Sequence, residues 1–126
     1  MALVHHELCF GCGRVNLFGL LLELEPAGSD AVRGRGFLKQ DHQGGDRGAA
    51  HDGVVAAVLS EAMALACGPD AHATHLEMTL SAAAPVGTFV EVEARVERRE
   101  GPIAHASATA TADQRMVARA RGRFQS

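Results

Sequence analysis

One stretch of the chain, residues 53–67, is apolar on every side of a helix, and it constrains the fold more than any other feature. Only Ser60 and Glu61 bring polar side chains into this run. A surface helix would carry polar residues at every third or fourth position, so the pattern predicts a buried helix. A buried carboxylate is costly unless it is paired or protonated. Glu61 is therefore expected to have either a specific partner or a chemical role.

The rest of the chain reads as strands joined by short turns. Strand-like patterns occur in six segments: residues 20–26, 31–38, 75–80, 88–98, 103–112 and 116–124. Asp52 is predicted to be the N-cap of the helix, and Gly68-Pro69-Asp70 is predicted to end it. Because short turns between consecutive strands imply antiparallel pairing, we predict an α+β domain in which an antiparallel sheet wraps around one buried helix.

Length, charge and cysteine number limit the classes of protein that fit. With 126 residues the chain is expected to form one domain, residues 1–126. A net charge of −3 disfavours nucleic acid or an anionic membrane as a partner, since proteins that bind them carry a basic excess. The apolar runs are far shorter than the roughly 20 residues of a membrane span, and no secretory signal is recognised. Three cysteines, an odd number, disfavour a disulfide framework, so a cytoplasmic location is expected.

Several ordered motifs resemble the small hotdog-fold acyl-CoA thioesterases. Residues 9–20, CFGCGRVNLFGL, are similar to the Cys-Phe-x-Cys-Gly-x-x-Asn-Pro-x-Gly-Leu opening of that family. His42-Gln43-Gly44 resembles its His-x-Gly loop, and residues 51–63 resemble its His-Gly-Gly-(apolar)-Asp-Glu-Ala-Met helix. The resemblance covers almost the whole chain. It implies a hotdog fold, a homodimer or dimer of dimers, an acyl-CoA thioester bound at the subunit interface, and no cofactor.

The resemblance also implies a mechanism, from which this chain departs at two positions. Backbone amides at Asp52 and Gly53 would hold the thioester carbonyl oxygen, and a carboxylate from the partner's helix would activate water or attack directly. Asp52 stands where the family has Gly, so its charge would compete for the same amides. Ser60 stands where the family places its catalytic Asp or Glu. Glu61, the next residue, points about 100° further around the helix.

Each candidate residue on this helix has a structural interpretation beside the functional one. Glu61 is either a catalytic or ligand-contacting carboxylate or a residue paired to an Arg or His of a second subunit. Ser60 either orients water or lets the dimer pack closely. Asp52 is either the N-cap or a displaced base. His51 either lines the ligand pocket or fixes the loop before the helix.

Three further residues are expected at the substrate by resemblance. Thr74 falls where the family often has a Ser or Thr that orients the attacking water, although Thr is ordinary at a strand start. His42 and Asn16 belong to the two shared motifs. The last strands carry Arg119, Arg121 and Arg123, which could meet the phosphates of coenzyme A or form cross-strand pairs with the row Glu91, Glu93 and Glu97.

The N-terminal cysteines raise the question of a metal. Cys9-x-x-Cys12 lies near His5 and His6, but zinc requires four ligands in tetrahedral geometry. No second Cys-x-x-Cys is present, and Cys67 falls inside the predicted helix. We therefore expect no metal, and interpret the cysteines as part of a packing motif.

Two functions follow from the sequence. The first is hydrolysis of an acyl-CoA or related thioester at a subunit interface, with Glu61, or else Asp52, as the base. The second is binding of acyl-CoA or another hydrophobic ligand without hydrolysis, since both family positions in the site have changed.

Overall fold

A six-stranded antiparallel sheet wraps around one helix in the computed structural model, which describes residues 2–126. The elements in chain order are β1 (Glu23–Pro26), β2 (Ala31–Phe37), α1 (Asp52–Cys67), β3 (His72–Leu80), β4 (Phe89–Glu100), β5 (Ile103–Ala112) and β6 (Arg115–Gln125), with a 3₁₀ turn at Gln40–His42. In space the strands follow the order β1-β2-β4-β5-β6-β3, and all neighbours are antiparallel. This is the predicted α+β hotdog arrangement.

The two clearest differences from the predicted strands lie at the starts of β1 and β3. β1 begins at Glu23 rather than at residue 20, because Leu21 has a left-handed backbone with φ of 50°. The amide of Leu22 instead donates to the carbonyl of Gly11, which ties this stretch to the N-terminal segment. β3 begins at His72 rather than at residue 75, because β6 pairs with it as far as Gln125 across a bulge.

The core lies between α1 and the concave face of the sheet. In β5 every second residue is a buried alanine: Ala104, Ala106, Ala108, Ala110 and Ala112. Such small side chains allow the helix to approach the sheet closely, and larger residues of α1 fill the space above them: Val58, Leu59 and Met63. α1 ends before Gly68, as predicted. Within residues 2–126 no helix is long and apolar enough to cross a membrane.

The convex face of the sheet is polar, but its charges pair differently from the prediction. The expected pairing of Arg119, Arg121 and Arg123 with the glutamates of β4 is wrong, because β5 lies between β6 and β4. In the observed register Glu91 and Glu93 lie opposite Arg35 and Arg33 of β2. These glutamates of β4 therefore pair in register with the arginines of the strand beside them in space. The order of strands along the chain does not by itself show which strand that is.

Candidate functional site

The N terminus of α1 borders an open cavity of about 480 Å³. The loop of residues 44–50, the first turn of α1 and the connection after β3 form its walls. Of the residues predicted for the site, His51 and Asp52 line this cavity, and both are exposed. A helix N terminus offers unpaired amide donors and a positive dipole end, so this cavity suits a ligand with a polarised carbonyl or an anionic group.

His51, and not Asp52, is the N-cap of α1. The His51 backbone is extended, with φ of −59° and ψ of 142°, and its Nδ1 atom accepts a hydrogen bond of 2.8 Å from the Gly53 amide. The prediction for Asp52 is wrong because Asp52 is already helical, with its carboxylate in the first turn where the dipole favours a negative charge. The Gly53 amide is thus engaged within the chain. The Asp52 amide has no acceptor inside the helix, and Asp52 lines the cavity.

The loop before α1 fixes the position of His51. The His51 amide donates to the carbonyl of buried His42 at 2.8 Å. A Cβ atom on Gly44 would lie 2.8 Å from the His51 Cα atom, so only glycine allows this approach. The Ala50 amide donates to the Ala84 carbonyl, which ties the loop to the connection after β3. The His42-Gln43-Gly44 motif therefore builds the entry to the helix.

His42 supports the entry to α1 from a buried position. Its Nδ1 atom accepts a hydrogen bond of 3.0 Å from the Lys39 amide. Within residues 2–126 its Nε2 atom is buried without a hydrogen-bond partner. Burial, reinforced by the charge of Lys39, lowers the pKa of His42 below its usual value.

Glu61 lies in the middle of α1, and the N-terminal segment covers its carboxylate. The Oε2 atom lies 2.9 Å from His5 Nδ1 and accepts a contact of 3.4 Å from the Cys9 thiol. A Cβ atom on Gly11 would lie 2.5 Å from both Cγ and Cδ of Glu61, so the segment passes directly over this side chain. Only 13% of the Glu61 side chain is exposed. The expected partner of this carboxylate thus comes from its own chain.

Two cysteines complete the surroundings of Glu61. The Sγ atoms of Cys9 and Cys12 each lie 3.6 Å from His5 Nδ1. The donor atoms of His5, Cys9, Cys12 and Glu61 all lie within 4.8 Å of one another. Burial, together with contact with Glu61, raises the pKa of the Cys12 thiol to about 12. The expectation of no metal considered a second Cys-x-x-Cys and Cys67 as sources of further ligands, whereas α1 brings the carboxylate of Glu61 to the cluster.

The other predicted residues lie apart from the cavity within one protomer. The Thr74 hydroxyl donates to the Arg123 carbonyl at the start of β3, whereas Leu80 at its other end lines the cavity. Asn16 donates to the Leu8 carbonyl and accepts from the Phe18 amide, so both ends of its side-chain amide are used within the N-terminal segment.

Of the three polar residues of α1, Ser60 and Glu61 lie apart from Asp52. Half-buried Ser60 lies one position before Glu61. Nine residues of helix, about 13 Å, separate Asp52 from Glu61. The structure therefore brings His42, His51, Asp52 and Gly53 together and leaves Ser60, Glu61, Thr74 and Asn16 elsewhere in the same protomer.

Comparison with known proteins supports the fold. No protein-family model matches the chain, and no curated protein matches its sequence. A crystal structure of a thioesterase superfamily protein superposes with a TM-score of 0.80 at 20% identity, over 89% of this chain and 60% of that one. This chain thus spans less than two thirds of that protein's length.

Two further solved structures show the same likeness. The E. coli PaaI protein from the phenylacetic acid degradation operon has a TM-score of 0.77 at 16% identity, over 84% of this chain and 79% of that one. Zebrafish thioesterase superfamily member 2 has a TM-score of 0.74 at 19% identity, over 82% and 80% of the two chains. The chain therefore has the hotdog fold of thioesterase superfamily proteins. Roles of individual residues do not follow from identities this low.

Proposed function

We propose that the protein acts on an acyl-CoA ester or a related thioester, bound with its carbonyl at the N terminus of α1. The observation that carries this proposal is the Asp52 amide, which lacks an intrahelical acceptor and borders a cavity at the positive end of the helix. Amide donors placed in this way stabilise the negative charge that develops on a thioester oxygen during attack. The fold shared with thioesterase superfamily proteins supports the same substrate class.

The proposal includes a second copy of the chain at the cavity. β3 is an edge strand, and its residues Leu76 and Leu80 are 39% and 42% exposed. An exposed edge with apolar side chains favours pairing with another strand, and Leu80 also lines the cavity. Pairing of two copies along β3 would therefore place the cavity at a subunit interface. Light scattering should give a dimer or a dimer of dimers, and a 13.2 kDa monomer at micromolar concentration would contradict this part.

Hydrolysis also requires a base, and we assign that role to Asp52 in preference to Glu61. The Asp52 side chain is exposed at the wall of the cavity. The Glu61 carboxylate is held by His5 and covered by the N-terminal segment, so water at the cavity of its own protomer does not reach it. A carboxylate that reaches water beside the bound carbonyl can remove the proton as the water attacks.

Binding without hydrolysis is the second candidate function. It is favoured by Ser60, which stands where the resemblance places a catalytic carboxylate and which is no base at neutral pH. The charge of Asp52 beside the amide donors also opposes a developing oxyanion. The two candidates share the ligand and the site and differ only in whether water is activated.

A panel of short, long and aromatic acyl-CoA esters separates the candidates. If the protein is a hydrolase, Asp52→Asn should lower the rate by about 10²–10⁴-fold, while Glu61→Gln keeps it within a few-fold. If it only binds, the wild type should turn over none of them, and the double variant Asp52→Gly with Ser60→Asp should gain activity. The double variant needs both changes, because a base without a stabilised oxyanion gains little. Failure of the wild type to bind any ester of the panel would contradict both candidates.

A further inference from the structure

We infer that His5, Cys9, Cys12 and Glu61 form a zinc site that joins the N-terminal segment to the middle of α1. The ligands are His5 Nδ1, the Sγ atoms of Cys9 and Cys12, and Glu61 Oε2, which lie within 4.8 Å of one another. This site is separate from the cavity at the helix N terminus. The inference therefore stands independently of the proposed thioester function.

Three of the distances between the donor atoms match the edges of a zinc tetrahedron. With Zn–S bonds of about 2.3 Å and Zn–N or Zn–O bonds of about 2.0 Å, tetrahedral angles place sulfur about 3.5 Å from nitrogen or oxygen. Both sulfurs lie 3.6 Å from His5 Nδ1, and Cys9 Sγ lies 3.4 Å from Glu61 Oε2. The His5 to Glu61 distance of 2.9 Å is that of a direct hydrogen bond. Metal binding would open this pair by a few tenths of an ångström.

The backbone around the cysteines is shaped to hold both sulfurs on one side. The Gly13 amide donates to the Cys9 carbonyl at 2.9 Å and closes a turn that brings the two cysteines together. A Cβ atom at Gly13 would collide with backbone atoms of Glu7 and Cys9. The His5 amide also donates to Cys12 Sγ at 3.1 Å. Backbone N–H groups that bond to a ligand sulfur orient it and stabilise its thiolate form.

The donor set and its burial indicate zinc in a structural role. Two thiolates with an imidazole favour a soft or borderline cation, and four protein ligands in tetrahedral geometry favour zinc. Cys12 is completely buried, and the side chains of His5 and Glu61 are only 17% and 13% exposed. A site closed in this way leaves no coordination position for water or substrate. Its effect would be on folding, because metal binding energy adds to the stability of the folded chain.

The test compares metal content and thermal stability in protein prepared under reducing conditions. The wild type should contain one zinc per chain. Its Tm should fall when a chelator removes the zinc, and addition of Zn²⁺ alone should restore the Tm. Co²⁺ in place of zinc should give the absorption of tetrahedral cobalt together with thiolate-to-cobalt charge transfer. These measurements need no variant, so they stand even if a substituted chain fails to fold.

Matched variants identify the ligands. Cys9→Ser, Cys12→Ser and His5→Ala should lose stoichiometric zinc, whereas Cys67→Ser and His6→Ala should keep it. Cys67 is a buried cysteine outside the cluster, and His6 is an exposed neighbour of a ligand. The inference would be overturned by a wild type that shows no zinc and no zinc-dependent change in Tm. It would also be overturned by full zinc content in Cys12→Ser, or by a Cys9–Cys12 disulfide that persists in reductant.

Discussion

The two carboxylates of α1, Asp52 and Glu61, differ in what surrounds them. At the first turn, Asp52 is exposed beside an open cavity, and its amide has no acceptor within the helix. Nine residues further on, Glu61 is enclosed by His5, Cys9 and Gly11. Asp52 directly precedes the apolar run of residues 53–67, and Glu61 interrupts it. The role of each carboxylate therefore depends on its surroundings in the fold and not on the apolar helix that carries it.

The physical reason for the difference is where the backbone donors of a helix are free. The first turn has amides without intrahelical acceptors, so the N terminus can serve a ligand. In the middle of a helix every amide is used, and a buried carboxylate there must be satisfied by side chains. The N-terminal segment supplies them to Glu61. One end of α1 is thus suited to binding and its middle to stability.

The largest expected effect on stability comes from a Gly→Ala substitution beside Glu61, which is compared with the same substitution in the first turn of α1. Gly11→Ala places a Cβ atom 2.5 Å from Cγ and Cδ of Glu61, so it should lower the free energy of unfolding by about 1–3 kcal/mol. Gly53→Ala is exposed in the first turn, where alanine's helix propensity offsets a close contact with the His51 ring. It should change stability by less than about 1 kcal/mol. Urea denaturation of both variants tests this prediction. Equal losses in the free energy of unfolding would show that the two regions do not differ in how tightly they are packed.

A smaller effect is expected at Asn16, which the sequence assigned to substrate binding. Both hydrogen bonds of its side-chain amide hold the N-terminal segment, so Asn16→Ala should cost about 1–2 kcal/mol of stability. The affinity for an acyl-CoA ester should stay within a few-fold of that of the wild type. Thermal unfolding and calorimetric titration of the same sample measure both quantities. If the Asn16→Ala variant is stable but no longer binds the ester, Asn16 contacts the ligand and this prediction is wrong.

The smallest effect depends on pH and concerns the entry to α1. Burial lowers the pKa of folded His42 below the value of about 6.5 in an unfolded chain, so the unfolded state binds more protons as the pH falls. The resulting contribution to stability is fully present above about pH 6.5 and is lost as the pH falls through the folded-state pKa. The stability difference between wild type and His42→Gln should therefore shrink from pH 7.5 to pH 5.5. A difference that is constant over this range would show that His42 does not titrate with folding.

The fold was predictable because it depends on local periodicity. The apolar run, the alternating strands and the short turns are all visible within a few residues of sequence. The exceptions have local causes that are hard to foresee. Leu21 adopts a left-handed backbone, and His51 uses a ring nitrogen to cap the helix where an aspartate follows it.

The surroundings of Glu61 were not predictable in the same way. His5 and Cys9 precede it by 56 and 52 residues, and nothing local in the sequence joins them to the helix. A signal was present in the Cys9-x-x-Cys12 spacing beside a histidine. The carboxylate of Glu61 is remote from this motif in the sequence, so the spacing alone does not indicate it as a ligand. Contacts over such separations depend on the assembled fold.

The most direct test of a carbonyl site at the N terminus of α1 is the affinity of a 2-oxoalkyl-CoA for three variants. This analogue keeps a carbonyl group as a ketone, and it cannot be hydrolysed because a methylene group separates the carbonyl from the sulfur. Asp52→Pro removes the first amide of α1, and the helix tolerates it because proline suits this position and the extended His51 backbone suits a residue before proline. Asp52→Ala removes the same carboxylate but keeps the amide, and Glu61→Gln changes the covered site.

We predict that Asp52→Pro weakens binding by about 10- to 100-fold, the worth of a hydrogen bond to an otherwise unsatisfied acceptor. Asp52→Ala and Glu61→Gln should bind within a few-fold of the wild type. Unchanged affinity in Asp52→Pro together with lost affinity in Glu61→Gln would contradict a ligand site at the N terminus of α1, because it would place the ligand at the middle of the helix.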